Sequence, residues 1–208
     1  MPRPVGVRNH DFEVKRTALL DALTEFALTD DLRRPSLRQF AIAADASEPT
    51  LRHYFGDRQG VVLAILEHIN KRARPLWEVV ATGSPDTTTA VEEYFRITKA
   101  GMEHAGFARA HAFGLIEGMA DETIGRAYLD TVLDPALETV ARKLAATPGG
   151  PEDAEARRAA AFMILSPLLV MTLHQELLGG RLSSPLNEGA FLDQLKDWLA
   201  SGLIAQEA

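Results

Sequence analysis

The chain contains no cysteine, which excludes a disulfide framework and any thiolate metal site and suits a reducing cytoplasm. No run reaches the roughly 20 apolar residues that a membrane span requires, and the opening MPRPVGVRNH lacks the apolar segment of a signal peptide. A soluble, cytoplasmic protein with no membrane partner is therefore expected. Catalytic signatures are missing as well: there is no G-x-S-x-G, G-x-G-x-x-G, G-x-x-x-x-G-K-[ST] or H-E-x-x-H, and no E-x-x-H pair of the di-iron bundle type. These absences argue against an enzyme, and no cofactor is expected. No internal repeat is visible.

What is present is a 208-residue chain with 46% apolar residues, enough for a real core in one compact domain or in a small head on a larger body. The net charge of −7 is unevenly spread. Residues 1–74 hold 12 Lys/Arg against 10 Asp/Glu, while residues 75–208 hold 10 against 19. An acidic protein binds nucleic acid poorly without orientation, so any contact with DNA falls to the N-terminal part.

The stretch Ser36 to Phe55, SLRQFAIAADASEPTLRHYF, reads as two short helices around a tight turn. Leu37, Phe40, Ala41 and Ala44 share one helical face. Ser36 can cap the first helix, Asp45-Ala46-Ser47 ends it, and Ser47 can cap the second, with Glu48 and Pro49 in its first turn. Leu51 and Phe55 point back toward the first helix, leaving Pro49, Thr50, Arg52, His53 and Tyr54 outward or along the edge. That geometry fits a DNA major groove, although spacing alone describes an ordinary helical hairpin equally well.

The residues themselves say more. Phe26, Ala27, Ser36, Leu37, Arg38, Ala41, Ala44, Ser47, Thr50, Leu51, His53, Tyr54 and Phe55, followed by Asp57 and Arg58, form a pattern that resembles the DNA-binding signature of the TetR (tetracycline repressor) family of bacterial regulators. The resemblance covers about the first 65 residues, with Asp45 where a glycine is usual and Glu48 opening the second helix. It implies an all-α protein of about nine helices: a three-helix head with a helix-turn-helix at 1–56, and a larger effector-binding and dimerisation domain at 57–208, joined by a long helix starting at 57. It further implies a ligand-responsive regulator, most often a repressor, that binds double-stranded operator DNA as a homodimer and is released by a small effector. Thr50, Arg52 and His53 are the candidates for base edges, and Ser36, Arg38, Tyr54 and Arg58 for phosphate, with Ser47 and Pro49 at the start of the reading helix. Helix N–H groups beside Arg58 make a good phosphate seat, and the family uses that place for the contact.

Before the head, residues 1–10 read as a loose basic arm, with a helix from 11 to 28 buried through Leu19, Ala22, Leu23, Phe26 and Ala27. The long helix after Asp57 is interrupted by Pro75, which predicts a kink or break near Lys71 to Arg74. From Asp86 onward the pattern is helical throughout, with Pro135 bending a segment from 122 to 146. The span from Ala159 to Leu173 carries no charge. Too short to cross a bilayer and apolar all round, it needs burial on both sides. Phe162, Leu165, Leu169 and Leu173 there, with the stripe Phe191, Leu195, Trp198 and Leu199, predict an isologous four-helix dimer interface, the alternative being a monomer with a sandwiched helix. The effector that the resemblance implies would be largely apolar, its candidate lining being Trp77, Phe95, Met102, Phe107, His111, Phe113, Met119, Tyr128, Met163, Met171 and His174. Two alternatives stand beside the regulator. One is a helical small-molecule-binding or metal-binding enzyme using Glu103, His104, His111, Glu117 and His174, for which nothing in the spacing calls. The other is a protein-interaction module with a non-functional head.

Overall fold

A computed structural model describes residues 5–29 and 34–204, the side chains of 5–9, 99, 101–105, 200 and 203–204 excepted. Among the described residues there is no strand, and the chain is all-α. The helices are α1 (Val5–Ala27), α2 (Leu37–Ala43), α3 (Glu48–Phe55), α4 (Arg58–Val80), α5 (Thr87–Ala105), α6 (Phe107–Gly118), α7 (Glu122–Tyr128), α8 (Asp134–Ala145), α9 (Ala154–Thr172), α10 (Gly180–Ser183) and α11 (Glu188–Ile204). A π turn at Leu129–Leu133 carries α7 into α8, and a second at Leu173–Leu177 extends α9. The chain forms two compact units: Met1–Arg72 with Ala112–Val132, and Ala73–His111 with Leu133–Ala208. The first unit thus extends past residue 56 to take in the start of α4 and the segment 112–132.

In the first unit α1 begins at Val5, inside the stretch read as a loose arm. Arg3 and the side chain of Arg8 lie outside the described residues. Leu19, Leu23 and Ala27 are buried as the periodicity requires, joined by Leu20 and Thr24. Val61, Val62, Ile65, Leu66 and Ile69 make the buried stripe of α4. That helix continues through Pro75 without the expected break, so the missing N–H is tolerated inside one rod. The bend foreseen at Pro135 is instead a π turn directly before it. Proline cannot donate to the carbonyl four residues earlier, that of Thr131. The Asn70 amide donates to that oxygen at 2.5 Å and replaces the lost bond.

The second unit is built on one apolar core: Val91, Tyr94 and Phe95 of α5, Leu137, Val140 and Leu144 of α8, Ala161, Ile164, Leu165 and Leu168 of α9, and Leu195 of α11. Leu165 and Leu195, expected at a dimer interface, are therefore spent inside their own unit. Leu169, Phe191 and Leu199 pack half-buried against the core, and Leu173 is half-buried. Phe162 and Trp198 face outward at 44% and 69% exposure. With its π extension α9 is a 24-residue helix containing an 18-residue window of mean hydropathy 1.4, long and apolar enough by length and composition to cross a bilayer, where the charge-free stretch alone is too short. Its buried face belongs to the core just described.

Lys143 is buried on α8, where its ammonium donates to the Glu93 carboxylate at 2.8 Å, to the Ser84 hydroxyl at 2.7 Å and to the Thr82 carbonyl at 2.9 Å. The bond from Lys143, then that from Ser84, holds the Glu93 carboxyl below the ordinary range. A depressed carboxylate stabilises the fold above its unfolded pKa, and the contribution is lost as pH falls through the folded value. Lys143→Ala leaves three acceptors short and is expected to cost about 2–3 kcal/mol at neutral pH. Thermal melts between neutral pH and pH ~3 should show the variant's deficit shrinking with acid; a deficit constant across that range would deny Glu93 its part.

Candidate nucleic-acid interface

The two head helices are held by their caps. The Ser36 hydroxyl accepts from the Gln39 N–H at 3.3 Å while the Gln39 side chain accepts from the Ser36 N–H at 2.9 Å, a reciprocal box at the start of α2. At the start of α3 the Ser47 hydroxyl accepts from the Thr50 N–H at 3.2 Å and lies 2.8 Å from the Thr50 hydroxyl. Between the helices Asp45 stands at φ 47, the one non-glycine residue with positive φ among the described residues. A residue that tolerates left-handed backbone was required there, and Asp supplies it in place of glycine.

Leu51 is fully buried and anchors α3, whereas Phe55 is half-buried under the Arg16 guanidinium, 5.3 Å from its ring centre. Ser36, Arg38, Ser47, Pro49, Arg52 and His53 are exposed, and Thr50, Tyr54 and Arg58 half-buried. Two of the outward groups are braced from α1. The Phe12 ring stacks at a tilt on Tyr54, 4.6 Å between centres, and meets His53 edge-on at 5.6 Å. No local pattern announces Phe12, because its partners are distant in sequence.

Arg58 departs furthest from expectation. Its guanidinium donates through Nε to the Pro35 carbonyl at 2.6 Å and through Nη2 to Glu117 Oε1 at 2.5 Å. Glu117 is fully buried on α6, and its second oxygen lies 3.4 Å from Arg34 Nε. Close by in sequence, Gln59 donates to the Asp121 carboxylate at 3.0 Å. The Ile124 N–H and then the Gln59 amide and Thr123 N–H hold that carboxyl below its ordinary range. Helices α6 and α7 meet through glycines around Glu117: a Cβ on Gly114 would stand 2.1 Å from the Tyr128 ring, and one on Gly118 2.9 Å from the Gly125 Cα.

The candidate effector residues do not converge on one space. Phe113, Met119 and Tyr128 belong to the first unit, where Phe113 and Tyr128 are core and burial pushes the Tyr128 hydroxyl up. Met119 is 81% exposed, and Met163, 63% exposed, lines a separate open cleft of about 300 Å³ with Ala159, Trp198 and Leu199. The side chain of Met102 lies outside the described residues. In the second unit Trp77 and Phe107 line a cavity of about 30 Å³ with Tyr94, Thr98 and Thr139. Burial raises the Tyr94 hydroxyl there to about 12. His111, fully buried 4.5 Å from the Phe107 ring, is pushed down to about 4 by burial and is neutral at physiological pH. Phe95 is core. Met171 lines a wider cleft of about 410 Å³ with Ala108, Arg109, Thr172 and Gln175. His174, half-buried, pairs through Nδ1 with the Gln175 amide at 2.6 Å.

Among the described residues no three His, Asp or Glu side chains gather where a metal could sit. Glu103 and His104 lie outside the described side chains, and Glu117 is taken up by arginines.

Caps, turn and outward edge together define a helix-turn-helix in the first unit of an all-α chain. No protein-family model matches the chain, and no curated protein matches it in sequence. Among solved structures the fold is similar to that of a Mesorhizobium loti MAFF303099 protein proposed to be a TetR-family transcriptional regulator, with a TM-score of 0.61 and 16% identity over 93% of this chain and 96% of that one. At this identity the likeness is one of fold.

Proposed function

We propose that the protein is a non-enzymatic, DNA-binding transcriptional regulator of the TetR type, a cytoplasmic repressor that binds a pseudo-palindromic operator as a homodimer. The observation that carries this reading is α3: a short helix anchored by buried Leu51, capped by Ser47, and presenting Pro49, Arg52 and His53 to solvent. Residues 1–56 act as the reading head, and 57–208 take the effector and the second subunit. Two-fold pairing would set two copies of α3 in successive major grooves, roughly 34 Å apart. The outward apolar side chains Phe162, Met163, Val170 and Trp198 on α9 and α11 suit the pairing face. The cleft beside Met171 falls in the size range of small-molecule sites, and its lining sets Arg109, Thr172, Gln175, Glu176, Arg181 and Glu188 beside Ala108, Met171 and Leu177, so an effector seated there meets charged and polar groups as well as apolar ones.

The test is selection of genomic fragments on the purified protein; retention of no sequence above background would end the reading. With an operator in hand, Arg52→Ala should cost about 1–3 kcal/mol and relax preference at one position in each half-site. A selection profile identical to the wild type would remove Arg52 from the reading set.

A further inference from the structure

Glu117 is a buried carboxylate between two guanidinium groups, and one of these, Arg58, opens the helix that follows α3. Resting on the regulator reading above, we propose that Glu117 holds Arg58 in the place of a DNA phosphate, so that the ion pair and a phosphate contact are alternatives.

Arg58 stands three residues beyond the end of α3, and a groove-seated α3 brings it beside the DNA backbone. The first turn of a helix and a cation together suit a phosphate there. Two directed bonds, to Glu117 at 2.5 Å and to the Pro35 carbonyl at 2.6 Å, turn the guanidinium inward instead. The hold can be exchanged. The Arg58 side chain keeps 27% exposure, so an anion can reach it. Glu117 would not be left bare, because Arg34 already stands 3.4 Å from its other oxygen, and a buried charge that keeps one cation escapes most of the penalty of isolation. Glu117 sits one residue before the end of α6, so whatever displaces that end alters the competition and with it the grip on DNA.

The test uses a duplex fragment retained by the wild-type protein, with affinities measured over a salt series for the wild type, Arg58→Ala, Glu117→Gln and the double variant. Glu117→Gln should bind about tenfold tighter and steepen the slope by about one ion per subunit, and adding Arg58→Ala should cancel both gains. A slope flattened by about one ion per subunit in Arg58→Ala alone would overturn the proposal, since Arg58 would then already lie on phosphate. So would a Glu117→Gln protein that gains nothing. Should circular dichroism show Glu117→Gln unfolded, Glu117→Asp keeps the charge and withdraws it by one methylene; a smaller gain in the same direction supports the proposal, and no gain overturns it. A wild-type protein that retains no fragment defeats the regulator reading itself, and does so before any substitution is made.

Discussion

If the protein pairs through α9 and α11 as proposed, replacing Trp198 with glutamate is expected to leave it monomeric and to lower operator affinity by about two to four orders of magnitude. The indole is 69% exposed on α11, and on α9 Phe162, Met163 and Val170 are 44%, 63% and 62% exposed. Large apolar groups gathered on two helices of one unit are costly in water and serve best when covered. Buried tryptophans at the centre of an interface contribute about 2–4 kcal/mol each, and a carboxylate there must be desolvated as well. The effect on DNA exceeds the effect on pairing, because two linked heads bind a two-site operator with a local concentration that single heads lack. Sedimentation of the variant checks the first half and operator retention the second. A dimer that survives Trp198→Glu with full affinity would place the pairing face elsewhere.

Gly114→Val should destabilise the first unit by at least about 3 kcal/mol, a large share of a typical folding free energy. Even one added carbon would lie 2.1 Å from the Tyr128 ring, which is itself 3% exposed and has nowhere to withdraw. The gain in helix propensity that usually accompanies loss of a glycine, up to about 1 kcal/mol for alanine, is smaller for a β-branched residue and does not offset the overlap. Denaturant unfolding followed by far-ultraviolet circular dichroism measures the loss. Near-native stability would mean that α6 and α7 separate readily, and that Glu117 is not firmly placed between them.

The head was legible in the sequence because its determinants are local. Ser36 and Ser47 cap, Asp45 takes the left-handed turn and Leu51 anchors, each within a few residues of the helix it governs. The buried charges were not. Glu117 and Lys143 look like solvated residues one at a time, yet each falls on a buried face at helical spacing, Glu117 one turn after Phe113 and Lys143 one turn after Thr139 and Val140. That phase was the signal available. Apolar character alone did not tell Met119, which lies 81% exposed in the turn after α6, from residues that line a cleft. Bracing of His53 and Tyr54 by Phe12 depends on tertiary packing, for which a single chain gives no local sign.

The wide turn at Leu129–Leu133 leads from α7 into α8, and the division between the two compact units falls inside it, after Val132. A turn of this kind holds one surplus residue relative to regular winding. Deleting a single residue from it would restore regular winding and shift the helical phase of the residues after it by about 100°. The length of that five-residue stretch is thus a gear setting, and its spelling matters less than its count.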